Sequence, residues 1–339
     1  GGCRGVGGGP AGPEGRPEED KPVLAKYREA RWLARAHGVT VLPSVASLKT
    51  LRNVPPPATE RKAFAGFGDP TFSAAGQAKI AAVATTRSAT GALTAANVIQ
   101  SRGLPVKLRA SPKTQGLDSV GLSQLPQLPD TSDEINSIAV ALNADLTKDV
   151  FLGKRANESA IKTMNLSGYK VLAFATHGLI PGDLDGLTQP ALALSAPEVS
   201  GDGGDGLLTM DEILGLRLDA DWVVLSACNT GSGQGAGAEA VSGLGRAFFY
   251  AGTRALLVSN WPVETTSAKT LTTDLFRRQA EDETLTRAEA LRRTMMALVD
   301  GDGYVDPQSG KTVFTYSHPI FWAPFSLIGD GGRNSATGT

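Results

Sequence analysis

Two side chains in this sequence have the types and placement that nucleophilic chemistry needs. His177 follows the apolar run VLAFA (Val171–Ala175) and is followed by Gly178. Cys228 follows the apolar run WVVLSA (Trp222–Ala227) and opens the turn Cys228-Asn229-Thr230-Gly231. A thiolate is a strong nucleophile, and an imidazole within reach can take and return a proton. Each residue also has an ordinary reading. A cysteine after a buried strand is often a small apolar filler, and a lone histidine is often structural. Their joint placement is what points to chemistry.

The elements that must present them follow from the two runs. Short uninterrupted apolar runs bounded by Gly and polar residues read as strands buried on both faces, the pattern of a parallel sheet. In open parallel sheets the working residues lie just beyond the carboxyl ends of the strands. Both His177 and Cys228 occupy that position, 51 residues apart (177 to 228), which leaves room for one helical connection between neighbouring strands.

The motifs THGLI, DGLLTMDEI, ADWVVLSACNTGSGQG, GLGRAFFYAGTRALLVSNWPV and HPIFWAPFSLIGDG occur in that order. With them the chain resembles the CHAT domain, a caspase-like cysteine peptidase family also related to separase. His some 50 residues upstream of a Cys in an Ala-Cys pair is the caspase spacing. The resemblance begins near KYREARWLARAHGVTVLPSVASLKTLR and runs to Gly332. It implies a caspase-like three-layer α/β sandwich with a mostly parallel central sheet and helices on both faces. It also implies a His177–Cys228 dyad, with an oxyanion hole made of the backbone N–H groups of Gly178 and Cys228. The reaction so implied is cleavage of a protein or peptide, with no metal or organic cofactor. A caspase-like scaffold domain without catalysis is the competing expectation. CHAT domains often follow helical repeats, so such modules are expected upstream as partners.

Several segments bear on specificity and on rival functions. Glu264, in WPVET (Trp261–Thr265) after the next strand, is the candidate for receiving a basic substrate side chain, as an acidic residue of a similar motif does in separase-like relatives. Trp261 and Asp205 complete the candidate pocket. The alternative for Glu264 is the first turn of the following helix, where carboxylates are favoured. GSGQGA (Gly231–Ala236) satisfies a dinucleotide-binding pattern, but it comes late in the chain and the next strand ends in Asn260 instead of an acidic ribose ligand. Asp202 and Asp205 in GDGGDG lack the alternating ligands and closing Glu of a calcium loop. His37 and His318 are assigned no chemistry.

Composition sets the outer limits. The chain has 339 residues, 41% of them hydrophobic, and a formal net charge of −1. That balance argues against a nucleic-acid surface or a polybasic membrane anchor, and no apolar run is long enough to span a bilayer. The two cysteines, Cys3 and Cys228, form no disulfide framework, which fits a reducing, cytoplasmic setting. The chain opens with Gly, so its true amino terminus is expected to be missing. Residues 1–22 read as a disordered Gly/Pro-rich end, 23–332 as the domain, and 333–339 as a tail. Residues 73–128 read as an insertion or long loop of unread role.

Local signals place the remaining elements. VTVLP (Val39–Pro43), FAGFGDP (Phe64–Pro70), DVFLG (Asp149–Gly153) and HPIFWAPFSLIG read as strands. Thr131/Glu134, Thr209/Glu212 and Thr286/Glu289 read as helix caps. The strands ending at Gly68, Ala175, Ala227 and Ser259 are expected to lie parallel in one sheet.

Overall fold

Alternation along three strands decides the architecture. Val171, Ala173 and Ala175 join one apolar cluster, while Leu172 and Phe174 join another. Trp222 and Val224 part in the same way from Val223 and Leu225, as do Ala255 and Leu257 from Leu256 and Val258. Successive side chains of a strand point to opposite faces, so a strand apolar on both must be covered twice.

The computed structural model describes residues 21–42, 44, 47, 49, 51, 53–76, 78, 98–101, 104–109, 121–227 and 236–332, with 98–101 and 236–242 described as backbone. Its central sheet has six strands: β1 (Lys62–Gly68), β2 (Val150–Leu152), β3 (Tyr169–Ala175), β4 (Trp222–Leu225), β5 (Ala255–Ser259) and β6 (Phe325–Gly329). Their spatial order is β6-β5-β4-β3-β1-β2. All neighbours pair in parallel except β6, which is antiparallel to β5.

The α-helices of five or more residues among the described residues are α1 (Asp130–Ala141), α2 (Glu158–Thr163), α3 (Met210–Leu214), α4 (Ala236–Ala251), α5 (Thr265–Glu281) and α6 (Arg287–Asp300). Ile135 and Ile138 of α1, Leu271 and Phe276 of α5 and Leu291 of α6 cover one face of the sheet. Ile161 of α2, Ile213 of α3 and Phe248 of α4 cover the other. The result is a three-layer α/β sandwich with a mostly parallel sheet. Beyond β3, the strands Gly178–Leu179, Ala191–Ala193 and Leu207–Thr209 form a small antiparallel sheet.

Local expectations fared unevenly. Thr209 and Glu212 form a reciprocal capping box on α3, and the Thr286 side chain accepts from the Glu289 N–H. The Thr131/Glu134 box does not form. α1 starts at Asp130, the Thr131 hydroxyl donates to the Leu128 carbonyl at 2.7 Å, and Glu134 is drawn into the core. The segment VTVLP contributes one isolated bridge, Val41 to Ile328, on the outer edge of β6; Pro43 lies outside the described residues. HPIFWAPFSLIG is not one strand. Pro319, with its fixed φ, opens a one-turn helix to Trp322, and only Phe325–Gly329 is extended.

Candidate active site

β3 ends at Ala175, and the next two residues are pinned to the small sheet. The Thr176 hydroxyl donates to the Ala193 carbonyl at 2.5 Å, and the Ala193 N–H donates to the His177 carbonyl at 2.9 Å. The His177 side chain is 0% exposed, with Nε2 2.7 Å from the Pro126 carbonyl oxygen. A carbonyl can only accept, so Nε2 carries the proton and Nδ1 presents a bare lone pair. Among the described residues that buried Nδ1 has no hydrogen-bond partner. The Phe72 ring packs on the imidazole, centroids 5.5 Å apart. Burial lowers the His177 pKa to about 4, against a smaller opposing effect of the Pro126 bond. The ring is therefore neutral near pH 7, with Nδ1 free to accept a proton.

Cys228 and residues 229–235, including most of GSGQGA, lie outside the described residues. What leads up to Cys228 is described. Val171 is in register with Trp222, Leu172 with Val223, Ala173 with Val224 and Phe174 with Leu225, an offset of 51 each time. That offset equals the sequence separation of His177 and Cys228. The Ser226 N–H continues the ladder to the Phe174 carbonyl at 3.0 Å, and the Ala227 carbonyl accepts from the Ser259 hydroxyl.

Below this strand end lies a buried polar cluster. Arg109 donates through Nη1 to the Ser226 hydroxyl at 2.7 Å and to the Ser226 carbonyl at 3.2 Å. Its Nη2 pairs with Glu134 Oε2, to which the Ser226 hydroxyl also donates at 3.1 Å. Glu134 Oε1 accepts from the Thr272 hydroxyl at 3.1 Å. All four side chains are buried.

The expected pocket residues each make contacts of their own within the scaffold. Glu264 is buried as the N-cap of α5, Oε1 accepting from Thr266 N–H at 3.1 Å and Oε2 from Ser267 N–H at 2.7 Å. Burial raises its pKa in spite of those bonds. The Trp261 indole N–H donates to the Ile320 carbonyl at 3.4 Å. Asp205 is exposed, its carboxylate accepting from the Leu207 N–H at 2.9 Å and its own N–H donating to Glu158 at 2.9 Å. No hydrogen bond, ion pair or ring contact among the described residues joins these three to His177. Gly178 is buried at the start of its short strand, in register with Leu192.

His318 caps the one-turn helix, accepting from the Ile320 N–H, and stands edge-on to Tyr27. Asp202 accepts from the Ser159 N–H at 2.8 Å. No group of three metal-ligating side chains exists among the described residues, and no described helix is long and apolar enough to cross a membrane.

Sequence reasoning missed Pro126, Arg109, Ser226 and Glu134. Pro126 acts through its carbonyl, which any residue has. Glu134 did carry a signal, since it lies four residues before Ile138 on the apolar stripe of α1, where an unpaired carboxylate would be costly.

Among known proteins, the chain is 33% identical over 123 residues to tetratricopeptide repeat protein 28 of Mus musculus, a stretch covering 36% of this chain and 4% of that protein. The crystal structure of the Arg specific cysteine proteinase gingipain R (RGPB) superposes with a TM-score of 0.36 at 13% identity, covering 59% of this chain and 41% of that one. The CHAT domain profile matches residues 19–330. With that match spanning nearly the whole chain, the protein belongs to the CHAT domain family.

Proposed function

We propose that this chain is a cysteine endopeptidase in which Cys228 is the nucleophile and His177 the proton carrier. The observation that carries the reading is the state of His177. Its Nε2–H is committed to the Pro126 carbonyl, which leaves a neutral ring with an unpartnered Nδ1 just beyond the strand paired with that of Cys228. In the reaction the Cys228 sulfur bonds to a substrate carbonyl carbon while Nδ1 takes the thiol proton. The tetrahedral oxyanion is held by the N–H groups of Gly178 and Cys228. Collapse breaks the C–N bond, and Nδ1–H protonates the leaving amine. Water then attacks the thioester, giving its proton to Nδ1, and the acid product leaves as the thiol reforms. The Pro126 carbonyl orients the ring and stabilises its cationic form, the part that Asp or Asn plays in Ser-His-Asp and Cys-His-Asn triads.

A catalytically silent scaffold is the second reading, favoured by the complete burial of His177. The peptidase reading accommodates that burial as a closed resting state opened by helical-repeat modules, the kind of segment named in the mouse relative. A reducing cytoplasm would keep the thiol free. The test is labelling by a thiol-directed peptidyl electrophile. Labelling of the wild type that is lost in Cys228→Ala supports the peptidase. Equal labelling of both proteins, or none of either in the presence of the repeat modules, supports the scaffold.

A further inference from the structure

The proposed reaction makes no use of the Arg109–Glu134–Ser226–Thr272 cluster, and stability alone gives it little reason to exist. A buried ion pair is often no better than apolar residues of the same volume, because both charges must leave water. The cluster joins four separate parts of the chain. Glu134 comes from α1, Ser226 from the end of β4, Thr272 from α5, and Arg109 from the described part of the region expected to be an insertion. That part is itself strapped down: the Arg109 N–H donates to the Val263 carbonyl at 2.9 Å, and Leu108 bridges Glu264.

Ser226 is the point on which the contacts converge. Its hydroxyl accepts from Arg109 and donates to Glu134, and its carbonyl accepts a second bond from Arg109. Both side chain and main chain are thus clamped at one residue. From there Cys228 is two peptide steps away, at most about 7.6 Å between Cα atoms.

We propose that Arg109 and Glu134 are positioning residues, which clamp Ser226 and so set the direction in which the Cys228 thiol and its backbone N–H are presented to the substrate. This rests on the reading of Cys228 as the nucleophile. A misplacement of about 1 Å at a reacting group can cost on the order of a hundredfold in rate. An off-centre clamp would therefore be felt in chemistry before it is felt in binding.

The test uses the full chain carrying Cys3→Ser, so that Cys228 is the sole thiol. Glu134→Gln is the direct variant but leaves a buried guanidinium unpaired and threatens the fold. Ser226→Ala removes one hydroxyl with no change of charge, and Ser226→Thr keeps the hydroxyl. Asp221→Asn weakens a buried ion-pair group at the opposite end of the sheet and serves as the control for mere destabilisation.

Cys228 alkylation by iodoacetamide and labelling by a peptidyl electrophile are followed alongside melting temperature. Ser226→Ala should slow both reactions, by up to about a hundredfold, while the concentration of peptidyl reagent giving half-maximal rate stays unchanged. Ser226→Thr should restore them. Asp221→Asn should lower the melting temperature and leave both rates alone. Unfolding would speed alkylation, so a slower rate is not a sign of instability. Wild-type rates in Ser226→Ala, or equal losses in Asp221→Asn, overturn the proposal. His177→Ala separates the two ideas. If His177→Ala is also without effect, the nucleophile reading itself fails. If it slows both reactions and Ser226→Ala does not, only the clamp is wrong.

Discussion

His177 holds its proton on one nitrogen and keeps the other bare, and this division makes its role testable. Cys228→Ala and His177→Ala should each abolish peptide cleavage with the circular dichroism spectrum unchanged, and activity surviving in either pure variant would end the assignment. Cys3→Ser should change nothing. Titration gives an independent check. The folded pKa of His177, about 4, lies below the ordinary 6.5, so the unfolded chain binds its proton first as pH falls. Stability from this group is complete above pH 6.5 and falls by roughly 3 kcal/mol as pH drops to about 4. Urea unfolding of His177→Gln should lack that slope.

Asp69 acts with the opposite sign. Desolvation, with Asp130 nearby, raises its pKa from 3.8 to about 6, so ionisation above that pH destabilises the fold. Asp69→Asn should therefore stabilise at pH 7.5 by about 1–2 kcal/mol after allowance for partial exposure, and the gain should vanish below pH 4. Asn also tolerates the residue's left-handed φ of 46°.

At the scale of elements, Glu264 takes the helix-capping role that the sequence offered beside a pocket role. The first amides of α5 have no intrahelical acceptor, and Glu264 supplies two acceptor oxygens. Glu264→Ala should lower stability by about 1–2 kcal/mol, measured by urea titration. A peptide library varied at the residue before the cut addresses the substrate role. Equal cleavage after Lys, Leu and Asp leaves Glu264 as a cap, whereas a basic preference lost in Glu264→Gln gives it a specificity role. The region expected to be an insertion also contributes at this scale. Through Arg109 and Pro126 it supports the strand end before Cys228 and the ring of His177.

Across the whole molecule, the carboxyl end of the sheet bears the candidate dyad and the amino end is stitched by ion pairs. At the amino end of the parallel strands, Arg61 Nη2 lies 2.9 Å from Asp221 and Arg254 Nη2 lies 2.8 Å from Asp219. Arg287, fully buried at the start of α6, reaches Asp221 at 3.6 Å and Asp330 at 3.5 Å. These pairs join β1, β4, β5, β6 and α6 far from the residues that carry the proposed chemistry. Removing the shared acid takes one negative charge out of a buried network in which Arg61 and Arg254 keep Asp219 and Arg287 keeps Asp330, so Asp221→Ala should destabilise by up to about 3–5 kcal/mol. Chemical denaturation should show a single transition at lower urea. Two transitions would mean that the sheet's ends unfold separately.

The parallel strands, the place of His177 at the carboxyl end of one of them, and the Thr209 and Thr286 caps were legible in the amino-acid order. Each depends on a local pattern: an apolar run, a strand end, or a Ser/Thr with Glu three residues on. The 51-residue spacing belongs here too, because it reappears as the register of β3 against β4. Other features arise only from contacts between segments distant in the chain. Glu134 enters the core to meet Arg109, 25 residues away, while Thr131 bonds Leu128 and Asp69. The acceptor for His177 is a main-chain carbonyl 51 residues upstream, with no side-chain signature. Ser226 meets Arg109 across 117 residues. Such contacts exist only once the sheet brings distant segments together, and a buried charge is tolerated only where its partner arrives with it.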